Sequence, residues 1–445
     1  MSEKNYWVRS GSYAILQRLS VFLFGFGSYF FMVRYYSKEV FGVWALFVVI
    51  TSVVEMSRSA FIQNAYVRFF SQPETDQGKL LMASLILNLA STLLFIVAMI
   101  GLIPVLQRFW HTEEIGGLIL WYCLTSLILV PFTQLNYLEQ ANKSFQGVFW
   151  SSTIRQGVFF VTVIVCSIFF PGLPLMFFAG VQSACSLLGL LVSWRMSGRF
   201  LPANLVVDHA IVRKLFRFGR YILGTGIAST MGKNADQIML GSVSHSTVAL
   251  YNAGVRILNF IEIPSLSISN IAYPKIAERV NREGKAAAAE MYEKTVASMV
   301  GIILPVVIGI VLFPKLILLI TAGRQYLDAA PVLTMMACAG ILYPFNIQVG
   351  SVFEITGKPH ISFYINMGSN IINVLLNIVL IPRYGAAGAA WSMIITTVTI
   401  FVVSQFLLRR QIGVDLGRFV ARLVDFYPMA IKEVYRFILR KKVNA

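Results

Sequence analysis

The chain has 445 residues, of which 57% are hydrophobic and 13% charged, and its mean hydropathy is +0.71. A soluble domain holds ~45–50% apolar residues, so this composition excludes one and points to a chain folded in lipid. The net charge of +17 would suggest nucleic acid in a soluble protein, but here the basic residues gather between apolar runs, which speaks for membrane topology and against a nucleic-acid partner.

In chain order the sequence divides into twelve apolar segments, each near the ~20 residues that a helical span needs. The first, Tyr13–Val33, carries Arg18; no small-residue cleavage site follows, so it reads as an anchor and not a removable signal. The second, Val40–Ala65, holds Glu55 and Arg58. Leu80–Gln107 and Ile115–Leu138 are free of Asp, Glu, Lys and Arg. Gln156–Trp194 is long enough for two spans, with Pro171-Gly172-Leu173-Pro174 as the turn between them. Arg220–Leu240 holds Lys233 and Asp236, and Val248–Ile271 holds Arg256 and Glu262. Thr295–Pro314, Ala329–Phe353, Pro359–Pro382 and Tyr384–Leu408 are again free of charge. Nothing alternates as the strands of a membrane barrel do.

The basic loop around Pro202–Asp208 parts six segments from six. Arg9, Gly11 and Tyr13 line up with Arg217, Gly219 and Tyr221, and Glu139 and Lys143 with Glu354 and Lys358, so the halves read as repeats. The expected organisation is an all-α polytopic membrane protein of twelve transmembrane helices: a six-helix lobe over 1–207, a second over 208–409 and a basic tail over 410–445. Lys and Arg concentrate in the segments on the N-terminal side of the membrane, which places both termini in the cytoplasm. The outer loops are too short for a soluble domain. In the tail, Leu416, Phe419, Val420, Leu423 and Tyr427, then Ile431, Val434, Tyr435 and Ile438, recur at helical spacing on either side of Pro428. Arg418, Arg422, Lys432, Arg436 and Arg440 fall between them, which reads as two amphipathic helices on the inner leaflet.

The charge inside the spans is the functional signal. Ionised groups in a bilayer cost several kcal/mol, so they face a partner or a wet cavity, and interrupted spans at matching places in two halves mark a transporter's binding site. Arg18, Arg58, Arg155, Lys233 and Arg256 outnumber Glu55, Asp236 and Glu262. Such an excess suits an anion, and arginine grips phosphate bidentately. The three acids are candidates for proton or sodium coupling. The plain alternative is that Glu55–Arg58 and Lys233–Asp236, each three apart, only neutralise one another. Asn366, Asn370, Asn373 and Asn377 share one helix face, either as interhelical bonds or as a polar wall for sugars.

Cys123, Cys166, Cys185 and Cys338 lie inside spans and read as packed thiols; His111, His209, His245 and His360 are scattered, so no metal is expected. Gly226 with Gly232-Lys233-Asn234 fails as a phosphate loop, because the glycine spacing is one too long and Asn234 is not Ser or Thr. No cofactor is expected.

Several short motifs, in this order, resemble the polysaccharide-transport family of the multidrug/oligosaccharidyl-lipid/polysaccharide exporter superfamily, the O-antigen and capsule flippases. They are Ser37-Lys38-Glu39-Val40-Phe41-Gly42, Asn234-Ala235-Asp236-Gln237-Ile238-Met239-Leu240-Gly241, Tyr251-Asn252-Ala253-Gly254-Val255-Arg256, Gly357-Lys358-Pro359 and Pro382-Arg383-Tyr384-Gly385-Ala386-Ala387-Gly388-Ala389-Ala390. The resemblance implies two six-helix lobes around a central cavity. It implies transfer of an undecaprenyl-diphosphate-linked oligosaccharide, an O-antigen or capsule repeat unit, across a bacterial cytoplasmic (inner) membrane by ion-coupled alternating access. The expected partners are that lipid-linked oligosaccharide, membrane lipids and other polysaccharide assembly proteins, with the chain itself a monomer. Two alternatives stand beside it: an organic-cation antiporter of the same fold, which would want acids in excess, and a membrane enzyme of polysaccharide assembly, which would need a large outer loop.

Overall fold

The computed structural model describes residues 3–443 other than 71, 73–75, 171 and 203, and the side chains of all of these except 3–9, 64, 221, 281, 285, 286, 430, 431 and 433–443. Pro171 of the expected turn, and the side chains of Arg9, Tyr221, Ile431, Val434, Tyr435, Arg436, Ile438 and Arg440, therefore lie outside the described residues. Helices occupy nearly all of the rest. In order they are α1 (Glu3–Tyr35), α2 (Lys38–Phe70), α3 (Gln77–Trp110), α4 (Glu114–Ala141), α5 (Gln146–Phe169), α6 (Leu175–Ser197), α7 (His209–Leu240), α8 (His245–Glu283), α9 (Lys285–Leu312), α10 (Pro314–Thr321), α11 (Ala330–Gly340), α12 (Tyr343–Ile355), α13 (Pro359–Ile412) and α14 (Leu416–Val443). Nine stretches among the described residues are long and apolar enough to cross a membrane. One of them, α13, has 54 residues, enough for two crossings. The long helices outside that set are α7, α8 and α14, whose charged and polar residues dilute their hydropathy.

Three expected boundaries differ in form. The tenth segment breaks between Gly340 and Tyr343 into α11 and α12, where Pro344 at the head of α12 has no N–H to donate back. The eleventh and twelfth join in α13, which turns at Gly385 with φ 55° and ψ −130°, a conformation essentially reserved for glycine. Gly388 then comes so close that a Cβ there would sit 2.2 Å from the Leu380 carbonyl oxygen. The tail does not break at Pro428, which sits inside the single helix α14.

Contacts cluster into two compact units, Met1–Ala249 and Leu250–Ala445. In the first, α1 packs on α5, α4 on α6, α3 on α4, and α7 on α2 and α3. Phe61, Ile62, Tyr66, Leu80, Leu81, Tyr137 and Leu215 form one buried cluster there. Tyr36 donates to the Leu173 carbonyl at 2.6 Å and fixes the turn between α5 and α6. Trp110, fully buried at the end of α3, donates its indole N–H to the Ile238 carbonyl at 2.9 Å, and the His245 ring pairs with the Trp110 carbonyl at 2.6 Å. In the second unit, Tyr292, Val296, Val300, Phe345, Val349, Phe353 and Leu408 form the core joining α9, α12 and α13. Cys123, Cys166 and Cys185 are buried, whereas Cys338 is exposed, so it is not the packed thiol expected of it.

The turn in α13 should be sensitive to substitution at its glycines. Gly385→Ala and Gly388→Val should each cost about 1–3 kcal/mol, from strain and from overpacking respectively. Gly368→Ala, with nothing within 4 Å of the added carbon, should not. Thermal unfolding in detergent measures the difference.

Candidate functional site

Glu55 and Arg58 lie one turn apart on α2 and therefore share a face. Arg58 is only 2% exposed. Its Nη2 donates to Glu55 Oε2 at 2.9 Å, and its Nη1 donates to Asn88 Oδ1 and Thr92 Oγ1 of α3, each at 3.4 Å. Tyr122 of α4 donates to the other Glu55 oxygen at 2.8 Å. Asn88 in turn donates to Thr133 Oγ1 of α4 at 3.2 Å. One ion pair thus ties three helices together through hydrogen bonds that satisfy most of its polar atoms. The polar seam continues along the same helices. Ser59 pairs with Tyr137 at 3.1 Å, Gln63 donates to Gln140 at 2.8 Å and Gln134 donates to Ser84 at 2.6 Å.

Arg155 adds the imbalance. It stands on α5 with its guanidinium 5.1 Å from the Phe132 ring centroid, a cation–π contact, and its charged neighbours are Glu55 and Arg58. Its Nε is buried and meets no acceptor among the described residues, and the same is true of Arg58 Nε. Glu55 pairs with Arg58 and is also the carboxylate whose charge acts on Arg155, and each guanidinium has a buried Nε–H without an acceptor among the described residues. An added anion is the natural complement of such a set.

The other expected residues are dispersed. Arg18 is exposed on α1, the helix that packs along α5, where Ser20 and Thr153 meet at 2.8 Å. Lys233 is exposed and Asp236 half-buried on α7, and each engages a neighbour. In the second unit Arg256 and Glu262 are half-buried on α8 and also engaged; Tyr343 of α12 donates to Glu262. Ser269 of α8 donates to the buried Gln348 of α12 at 3.1 Å. The asparagine face of α13 is graded. Asn366 is exposed and donates to Ser362 at 3.5 Å, Asn370 and Asn373 are half-buried, and Asn377 is buried and donates to Asn373 Oδ1 at 3.0 Å. Charge and helical spacing pointed to Glu55, Arg58 and Arg155 but not to their uncharged partners. Asn88 and Thr92 carried one signal, as polar residues within the otherwise apolar run Leu80–Gln107.

The pair makes a stability prediction. Arg58→Met strands the Glu55 carboxylate among groups arranged around a cation, and should cost about 2–4 kcal/mol. The double variant Glu55→Gln/Arg58→Met should recover part of that loss. Chemical unfolding of the purified protein distinguishes them, and equal costs for the single and double variants would contradict the coupling.

The sequence matches the model of the family described as polysaccharide biosynthesis protein over residues 31–331. It is 23% identical over 338 residues to a teichuronic acid biosynthesis protein, TuaB of Bacillus subtilis, covering 75% of this chain and 68% of that one. It is 21% identical over 179 residues to a probable low-salt glycan biosynthesis flippase of Haloferax volcanii, covering 40% of this chain and 38% of that one. Among solved structures, the lipid II flippase MurJ in an inward closed conformation superposes with a TM-score of 0.75 at 12% identity, over 94% of this chain and 91% of that one. An inward-facing multidrug resistance MATE transporter of the MOP superfamily gives 0.72 at 15% identity, over 91% and 98%. The fold is shared with MurJ and with that MATE transporter, and the chain belongs to the polysaccharide biosynthesis protein family.

Proposed function

We propose that the chain is a flippase that moves an undecaprenyl-diphosphate-linked oligosaccharide, an O-antigen or capsule repeat unit, from the cytoplasmic to the periplasmic leaflet of a bacterial inner membrane. Membership of the family and the fold shared with a lipid II flippase support this reading. The observation that carries it is the pair of unsatisfied guanidinium N–H groups of Arg58 and Arg155 around the single carboxylate of Glu55. A diphosphate offers the acceptors that these groups lack.

In this reading Arg18, Lys233 and Arg256 add positive potential along the substrate's path, and the asparagine face of α13 meets sugar hydroxyls. Glu55, Asp236 and Glu262 are the coupling candidates, because a carboxylate that exchanges arginine for a proton or sodium can link ion movement to substrate release. Residues 1–207 and 208–409 act as the two lobes, the protein is a monomer with both termini in the cytoplasm, and other polysaccharide assembly proteins supply and collect its substrate. The likeness to a MATE transporter favours one second reading, export of organic cations. The cationic surplus around Glu55 would repel such cargo.

Reconstituted vesicles test both. Leaflet exchange of a lipid-diphosphate oligosaccharide should occur and should quicken under a proton or sodium gradient. Arg155→Leu should slow it about tenfold or more, the worth of one charge-assisted contact, while the variant still folds and inserts. Uptake of organic cations with no lipid exchange would overturn the proposal in favour of the antiporter.

A further inference from the structure

The tail helix α14 has three faces, and two of them are engaged by the protein. Phe419 and Leu423 pack against the core of the second unit. The Phe426 ring sits where a side chain on Gly301 of α9 would be, and Tyr427 donates to the Gly301 carbonyl at 3.1 Å. The start of the helix is fastened by Glu293 of α9, a fully buried carboxylate. Its Oε1 accepts the Asp415 N–H at 3.0 Å, and Arg418 and Arg422 approach its oxygens at 3.6 and 3.3 Å. The charged residues Arg418, Asp425 and Arg422 follow one another around a second side of the helix.

The third face holds Leu416, Gly417, Val420, Ala421, Val424 and Pro428. All six are exposed and none is charged. Val420 is 55% and Val424 65% exposed. The docking on α9 says what this face meets. Lys294 is the last charged residue of α9 before a run of purely apolar and small polar residues, and Ala287–Leu312 is one of the stretches able to cross a membrane. Gly301 lies about 10 Å further along the helix than Lys294. A helix whose tyrosine bonds to the Gly301 carbonyl has gone below the headgroups, to the depth of about 5–10 Å at which interfacial helices rest.

We infer that Leu416–Met429 is an interfacial membrane helix, clasped to α9 by Glu293, whose Leu416–Val420–Val424 face is covered by lipid acyl chains of the leaflet that holds Lys294, while Arg418 and Asp425 stay at the headgroup edge. The whole apolar stripe of the tail therefore does not lie on the bilayer: Phe419, Leu423, Phe426 and Tyr427 belong to the protein and Leu416, Val420 and Val424 to the lipid. This assignment is independent of what the protein transports.

Nitroxide labels on the full-length protein in lipid nanodiscs test it. Cys338, the exposed native thiol, is replaced by serine, and the three buried cysteines remain. A label at Val424→Cys should collide severalfold more with dissolved oxygen than with a water-soluble nickel chelate, and one at Asp425→Cys should show the reverse preference. Val420→Cys reports the same face as Val424→Cys should that variant fold poorly. Equal access of the nickel chelate to positions 424 and 425 would overturn the inference. So would dipolar broadening between labels at 424, since it would mean that a second copy of the chain covers the face. Neither result would touch the flippase reading, which rests on α2 and α5.

Discussion

An ionised group inside a membrane has to be matched atom by atom, and the ion pair of Glu55 and Arg58 shows how much structure that demand recruits. Arg58 is buried, so donors not used by Glu55 turn to Asn88 and Thr92. Glu55 has a second oxygen, so Tyr122 turns to it. Each solution comes from a different helix, and α2, α3 and α4 are held in register by a polar requirement as well as by apolar packing. Arg155 then stands beside a carboxylate already engaged. The aromatic face of Phe132 lowers the cost of its charge without cancelling it. The helices that bury Arg155 thus hold two guanidinium groups in the neighbourhood of one carboxylate.

The second unit meets the same constraint with different partners. Glu262 takes a tyrosine, Asn377 takes Asn373, and Glu293 takes a backbone N–H and two arginines from a helix more than a hundred residues away in sequence. The Glu293 arrangement closes the chain's last helix onto α9.

The residues in question show why some of this could be read from sequence. Span positions follow from long apolar runs, and the charged helices announced themselves because Arg58, Lys233 and Arg256 interrupt such runs. The short motifs identified the family. Uncharged partners were silent: Tyr122 and Asn88 are ordinary occupants of an apolar helix until their neighbours are known. The break between α11 and α12 and the continuity of α14 through Pro428 both depend on tertiary support, which decides whether a missing N–H ends a helix. In the tail, a single stripe at helical spacing could not tell residues that face protein from residues that face lipid, because both are apolar.

Binding of a short-chain prenyl diphosphate to the purified protein, followed by titration calorimetry at two salt concentrations, tests the central claim most directly. The account predicts saturable binding that weakens with salt and drops about tenfold in Arg155→Leu, with Phe132 and the Glu55–Arg58 pair intact. Equal affinity in the variant and the parent protein would contradict it.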